Sequence, residues 1–294
     1  MYVVGLEDLI SAIINGVLIG SVYSLIAMDL ALIWGVMDVI NFAQGDFMML
    51  GAFTTYWLLA LAGVDPLLSL PISFLVVFSL GFITQKVIIE KILEAPMVSQ
   101  IATTFALLLI IRYGAEVAFG PFTRRVVTSY TGTILRFGFI IMPLTRGIAF
   151  IASVVITVLL YLFLKKTYIG IALRAVAQNR EAAKLLGINV KRMYWLAFGI
   201  GVGISAVGGS LLSTFYPIHP EMGAFFCLIA FIIVVFGGFG SIFGAYVSGM
   251  IIGIAECVSA LFIPPTLKDV VAFGLFIIMI LVRPTGLFGA KLGL

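Results

Sequence analysis

The densest group of polar side chains lies in one short interruption of an otherwise apolar sequence, from Gly35 to Asp46. Asn41, Gln44 and Asp46 could hydrogen-bond a polar solute, because amide and carboxylate groups offer donors and acceptors. Asp46 could instead cap a helix that begins near it, since aspartate is a favoured N-cap residue. Both interpretations stay open at this point.

A second interruption, from Phe236 to Gly244, is rich in glycine. Irregular backbone survives at membrane depth only where protein or a water-filled cavity covers it. In secondary transporters, paired glycine-interrupted spans mark the substrate region near the midplane, and we apply that rule by analogy. The glycines could alternatively serve close helix packing. On the first interpretation, a translocation pathway is lined by Asn41, Gln44, Gly45, Asp46, Gly237, Gly238, Gly240 and Ser241.

Isolated charges within apolar runs need a physical reason, because a charge in lipid costs several kcal/mol. Arg112 and Glu116 are four residues apart, which predicts an ion pair on one helix face, with a gating role as the alternative. Glu256 is either a hydrogen-bonded packing residue or a pathway residue. Asp29 stands at the end of the first apolar run, where an interfacial position is expected.

No group of residues in the sequence is typical of an enzyme. The chain has no Gly-Lys-Ser/Thr phosphate-binding motif and no His-Glu-x-x-His motif. Cys227 and Cys257 lie in apolar runs and His219 lies between two prolines, which favours no metal site. We therefore expect no catalytic residue, no metal ligand and no cofactor in this chain, and no nucleic-acid partner.

The composition places these residues in a membrane. Hydrophobic residues make up 63% of the 294 residues and charged residues 10%, whereas soluble domains have about 25% charged residues. The apolar runs are continuous rather than alternating, so the spans are helical. We predict an all-α, polytopic integral membrane protein. Its single domain, 1–294, would contain eight or nine transmembrane helices, two of them broken (30–37 with 46–63, and 225–236 with 241–262), and an internal repeat.

Basic residues predict the orientation of the spans. The segment 165–192 holds seven of the 17 Lys and Arg residues and one acid, Glu181. Basic loops face the cytoplasm, and this placement puts Lys86, Lys91, Arg283 and Lys291 on the same side. The segment 120–146, with four arginines, is then expected outside, and an odd number of spans would leave the N-terminus outside too.

Several sequence blocks resemble one family. The loop around Glu181, Ala182, Ala183 and Gly187 is similar to the EAA-type loop of ABC importer permeases. Further blocks at 15–27, 39–53, 236–245 and 283–289 resemble the shorter, H-type subunit of the branched-chain amino acid permease family. The resemblance runs from about residue 9 to residue 289.

The resemblance implies an ATP-driven importer in the cell membrane. Its other parts would be a homologous permease subunit, two cytoplasmic ATPases that bind ATP, and an extracytoplasmic binding protein that delivers a branched-chain amino acid or related compound. A helix spanning 170–187 would dock on an ATPase, with flanking basic residues at the lipid surface and Gly187 ending it in a left-handed conformation. The coupling residues so implied are Gly170, Arg174, Arg180, Glu181, Ala182, Ala183 and Gly187.

Two alternatives remain open on the sequence alone. The chain could be a stand-alone secondary transporter or channel for a small polar solute, or a structural membrane subunit without a route of its own. The sequence does not identify the solute, nor whether the second permease subunit is identical or homologous.

Overall fold

The structure is a computed structural model that describes residues 5–138, 140–264 and 267–289. Within these ranges it contains eleven α-helices, a 3-10 turn at Ile89–Ile92 and a two-stranded hairpin. The helices are α1 (Leu6–Met37), α2 (Gln44–Ala62), α3 (Pro66–Val87), α4 (Met97–Phe119), α5 (Leu144–Lys166), α6 (Tyr168–Gln178), α7 (Arg180–Leu185), α8 (Val190–Leu212), α9 (Met222–Gly237), α10 (Ile242–Ser259) and α11 (Lys268–Val282). The strands are β1 (Ile134–Phe137) and β2 (Ile140–Pro143), which pair antiparallel.

The prediction of an all-α polytopic membrane protein is confirmed. Seven of the described helices are long and apolar enough to cross a membrane, namely α1 to α5, α8 and α10. Two shorter apolar helices, Met222–Gly237 and Val270–Val282, accompany them. The predicted number of eight or nine spans stays a prediction, because these two helices are shorter than the other seven. The internal repeat stays a prediction.

The first interruption does not break a span, which corrects the predicted pairing of 30–37 with 46–63. Residues 30–37 belong to α1, a continuous helix of 32 residues that is about 48 Å long. It ends at Asp38, whose φ of 58° is left-handed, so the backbone leaves the helical direction there. Residues 46–62 then lie in a separate span, α2.

The second interruption separates two antiparallel helices, which corrects the other predicted broken span. Tyr23 of α1 contacts the ring of Phe226 near the start of α9, and Trp34 contacts Phe239, two residues past the end of α9, so α9 runs in the direction of α1. Along α10 the order is reversed, since Gly249 contacts Ser24 whereas Gly253 contacts Gly16. Four residues, 238–241, reverse the chain between them, with left-handed φ values of 101° at Gly238 and 79° at Gly240.

Small residues bring the central helices together. Gly16 and Gly20 of α1 lie against the backbone of α10 near Gly249 and Gly253. A hydrophobic driving force is weak between helices in lipid, so close van der Waals packing of small residues stabilises such pairs. Helix α8 contacts α1, α2 and α3, and 89% of an 18-residue stretch of it is buried. Helices α1 and α8 therefore form the centre of the bundle.

The two long connections lie at opposite ends of the bundle, joined by the 23-residue helix α5. At one end, Asn15 donates to the Ile141 carbonyl and Arg146 donates to Asn15. At the other end, Arg180 pairs with Asp38. Helix α1 therefore begins at the end of the bundle that holds 120–146. Lys291, predicted on the side of 165–192, falls outside the described residues.

Candidate functional site

The main feature of the first interruption is an ion pair between two spans. Arg112 of α4 donates from Nε to Oδ1 of Asp46 at 3.0 Å and from a terminal nitrogen to Oδ2 at 3.1 Å. The Asp46 side chain is fully buried and that of Arg112 is 16% exposed. The predicted Arg112–Glu116 pair is therefore wrong, because α4 turns Arg112 toward α2. The predicted N-cap role of Asp46 is also wrong, because Ala43 is the N-cap and Asp46 lies in the first turn of α2.

Buried amide atoms beside this pair have no partner. The Asn41 side-chain oxygen accepts from the Ala43 backbone N–H at 3.1 Å, but its Nδ2 makes no hydrogen bond within the described chain. Neither amide atom of Gln44 has a hydrogen-bond partner there either. Buried polar atoms are nearly always paired in proteins, so these three unpaired amide atoms need an explanation.

Gly45 has a different position from its predicted one. A Cβ on Gly45 would collide with the carbonyl oxygen of Gly223, the second residue of α9. Gly45 thus holds α2 against α9 rather than lining open space, and this contact places the start of α9 at the first interruption.

This contact gives a test of the packing. We expect Gly45→Ala to destabilise the protein by about 1–3 kcal/mol, the usual cost of overpacking, and to lower the melting temperature in detergent by several degrees. Gly114→Ala on α4 is the matched control, because a Cβ there has nothing within 4 Å. Equal melting temperatures for the two variants would contradict the close α2–α9 contact.

The second interruption does not lie at half depth, contrary to prediction. Gly240 lies against Gly35, within one turn of the end of α1. A Cβ on Gly237 would approach Gly244 at 2.5 Å, and one on Gly238 would approach Gly289 at 2.6 Å. Ser241 caps α10 by accepting from the Gly244 N–H at 3.0 Å. These four residues, predicted to line a pathway, therefore have packing and capping positions at one end of the bundle.

The C-terminal segment covers this second interruption. The Leu287 and Phe288 N–H groups donate to the carbonyls of Phe236 and Gly237, each at 2.9 Å. These bonds satisfy carbonyl groups that the end of α9 leaves unpaired.

The basic connection folds as two helices rather than one. Asn179 separates α6 from α7, and its side chain accepts from the Glu181 and Ala182 N–H groups at 3.0 Å each. Gly187 ends α7 with a φ of 79°, and the Ile188 N–H bonds the Ala183 carbonyl at 3.0 Å. The predicted left-handed conformation of Gly187 is confirmed.

Three of the predicted coupling residues lie inside this chain's own packing. Ala183 is 1% exposed. A Cβ on Gly170 would collide with the Phe163 carbonyl, so Gly170 holds α6 against α5. Arg174 is half-buried and directs a guanidinium nitrogen to the Lys165 carbonyl at 3.5 Å. These positions do not favour direct contact of Gly170, Arg174 or Ala183 with another subunit.

Helix α7 exposes three other predicted coupling residues. The residues just at its end include two exposed ones that were not predicted. Arg180, Glu181 and Ala182 are exposed. Leu185 and Leu186 are 90% and 79% exposed at the tip. The sequence did carry a signal for these two residues, namely a pair of adjacent leucines in a short, charged loop. We call Arg180, Glu181, Ala182, Leu185 and Leu186 the α7 tip.

The structure also places two further acids. The position predicted for Asp29 is wrong, and the position of Glu256 was left open. Asp29 is fully buried on α1 beside Gly201 and Ser205 of α8, not interfacial, because α1 continues for eight more residues. Glu256 of α10 is 3% exposed and accepts from the Tyr23 hydroxyl of α1 at 3.4 Å.

Comparisons with known proteins identify a family and several relatives. Residues 12–280 match the family model described as "Branched-chain amino acid transport system / permease component". The chain is 33% identical to the high-affinity branched-chain amino acid transport system permease protein LivH of Salmonella typhimurium, over 94% of each chain. It is 31% identical to BraD of Pseudomonas aeruginosa over 94% of each chain. It is also 31% identical to a probable LivH of Methanocaldococcus jannaschii, over 90% of this chain and 88% of the relative. No solved structure matches significantly.

Proposed function

The chain belongs to the family of permease components of branched-chain amino acid transport systems, and from this premise we propose how it couples ATP to transport. It is a multi-pass membrane subunit of an ATP-driven importer. We propose that it lies in the cell membrane and moves branched-chain amino acids or related small solutes inward. Separate subunits bind and hydrolyse ATP, and this chain needs no cofactor of its own.

The observation that carries the proposal is the α7 tip. A six-residue helix held at both ends, by Asn179 and by Gly187, presents Glu181 and two leucines away from the rest of the chain. Exposed leucines rimmed by charges are typical of a protein contact. The tip therefore fits a groove on an ATPase subunit.

Contacts connect the tip to the first interruption. Arg180 pairs with Asp38 at 3.3 Å, and Asp38 ends α1 immediately before the segment with Asn41 and Gln44. Ala183 packs the inner face of α7 into the core. Because α7 is fixed at these points, a displacement of the tip by the ATPases would move the end of α1 and the residues that follow it.

The first interruption is the proposed part of the route. The unpartnered amides of Asn41 and Gln44 would hydrogen-bond the polar groups of a solute, while the Arg112–Asp46 pair holds α4 on α2. Specificity would rest largely with a separate binding protein. The glycines of the second interruption keep a packing role in this account.

We assign the remaining partners to exposed surfaces of the bundle. On α4, Phe105, Ile110, Tyr113 and Val117 are more than half exposed, and we assign this face to the homologous permease subunit. The end with the β-hairpin would receive the extracytoplasmic binding protein. Membrane lipid surrounds the other spans.

A charge reversal at the tip tests the coupling role. We expect Glu181→Lys to reduce ATP-driven uptake at least tenfold in proteoliposomes that contain the whole transporter, because the contact with the ATPase would carry the wrong charge. Folding should be unaffected, since the Glu181 side chain is 74% exposed.

Glu94→Lys is the matched control, because Glu94 is an exposed acid at the same end of the bundle. It should leave uptake unchanged. Normal uptake and normal ATPase assembly for Glu181→Lys would remove the tip from the docking surface.

A further inference from the structure

A large apolar groove on the membrane-facing side of the bundle is not explained by transport. Its volume is about 660 Å³, and helices α3, α5 and α8 and the first turn of α6 form its walls. Leu67 and Val207 lie at one end of the groove. Phe163, Ile169 and Leu196 lie at the other end. Each residue that lines the groove is apolar, so a polar solute has no partner there.

The groove lies within the hydrocarbon region. Helices α3, α5 and α8 are each long and apolar enough to span a membrane. Along α8 the lining extends from Leu196 to Val207, which is about 16 Å of helix and about half of a 30 Å hydrocarbon core. This length suits an acyl chain from one leaflet.

Two basic residues continue the lining at the end next to the α6–α7 connection. On α5 the lining positions 156, 159, 160 and 163 recur at helical spacing, and the next position on that face is Lys166. On α8 the positions 200 and 196 lead in the same way to Arg192. A cation from each wall therefore stands at this end of the groove.

These two cations are free to bind an anion. Among the residues that the structure describes, the ion pairs are Arg112–Asp46, Arg180–Asp38, Lys184–Glu181 and Lys191–Glu90, so Lys166 and Arg192 are in none. Their neighbour Lys165 bonds the Tyr161 hydroxyl at 3.0 Å. The opposite end of the groove has the Asp65 carboxylate, two residues before Leu67, which would repel an anionic group.

We propose that this groove binds an anionic phospholipid, with one acyl chain between α3, α5 and α8 and its phosphate group at Lys166 and Arg192. Basic pockets between spans bind anionic headgroups in this way, and each basic residue near the surface favours them about fivefold.

The headgroup part is tested with the full chain in vesicles of three parts phosphatidylethanolamine to one part phosphatidylglycerol. After mild detergent extraction, native mass spectrometry measures the phosphatidylglycerol retained per chain. We expect Lys166→Gln/Arg192→Gln to reduce retention at least tenfold. The control Lys91→Gln/Arg283→Gln removes the same number of charges at the same end, away from the walls of the groove, and should retain wild-type amounts. Equal retention by the two double variants would overturn the proposal.

The acyl part is tested with phosphatidylglycerol that carries a photoreactive diazirine in its acyl chain. Cross-links are expected on groove residues of α3, α5 and α8, and Leu159→Trp, which fills the groove, should abolish them. Leu162→Trp is the control, because Leu162 is 44% exposed on the same helix but does not line the groove.

Melting temperatures establish that both tryptophan variants are folded, since Leu159 is itself 58% exposed and tolerates a larger side chain. Cross-links that survive Leu159→Trp would refute an acyl chain in the groove. Labelling that disappears when the other transporter subunits assemble would show a polypeptide in the groove and also overturn the proposal.

Discussion

Replacing Asp46 with leucine is expected to destabilise the protein by about 3–5 kcal/mol and to abolish transport. The variant leaves the Arg112 guanidinium without its carboxylate between two membrane spans, and breaking one side of a buried pair has a cost of that size. The cost is large because both charge-assisted bonds, at 3.0 and 3.1 Å, are lost together. Unfolding in mixed micelles and ATP-driven uptake in proteoliposomes measure the two effects.

Two further variants separate the ion pair from its surroundings. The double variant Asp46→Leu/Arg112→Leu should recover most of the stability, because no unpaired charge remains, but it should not recover transport if the pair forms part of the route. Glu116→Leu should have wild-type stability, since Arg112 does not pair with Glu116. Wild-type stability of Asp46→Leu, or strong destabilisation by Glu116→Leu, would show that the pairing is wrong.

Placing charges on the two exposed leucines of the α7 tip is expected to separate the permease from its ATPases. We expect Leu185→Asp/Leu186→Asp to reduce co-purification of the ATPase subunits and ATP-driven uptake at least tenfold. The reason is that binding would bury two carboxylates without partners in a contact that is otherwise apolar. The fold should be unchanged, since the two side chains are 90% and 79% exposed. Pull-down of the complex and uptake assays measure both results.

The control for this variant places the same charges at the other end of the bundle. Leu6 and Leu61 are 74% and 79% exposed, and Leu6→Asp/Leu61→Asp should leave ATPase assembly unchanged. A tip variant that assembles and transports as well as this control would place the ATPase contact elsewhere on the chain.

Composition and local signals were sufficient for the class of fold and for several helix ends. Continuous apolar runs predicted the spanning helices, and Gly187 was correctly predicted to be left-handed, because both depend on residues close together in sequence. Glycine-rich segments were harder to interpret. Glycine permits either a broken span or close packing, and the choice depends on which helix approaches it. At Gly237 and Gly238 the approaching segments are α10 and residues 285–289.

Tertiary contacts decide what local sequence patterns leave open. The four-residue spacing of Arg112 and Glu116 fits an ion pair on one helix, but the approach of α2 to α4 gives Arg112 a better partner, Asp46. In the same way, the loop resemblance indicated Ala183 and Gly170 as coupling residues. Only the packing of α6 and α7 on α5 and α8 shows that these two face inward while Leu185 and Leu186 face outward.

Uptake of radiolabelled leucine by proteoliposomes, with and without the ATPase subunits, tests the central claim most directly. Uptake is expected only when the ATPases, the second permease subunit, the binding protein and ATP on the cytoplasmic face are all present. The α7 tip variants should lose this uptake. Uptake by this chain alone, driven by an ion gradient without ATP, would contradict the account and establish a stand-alone transporter.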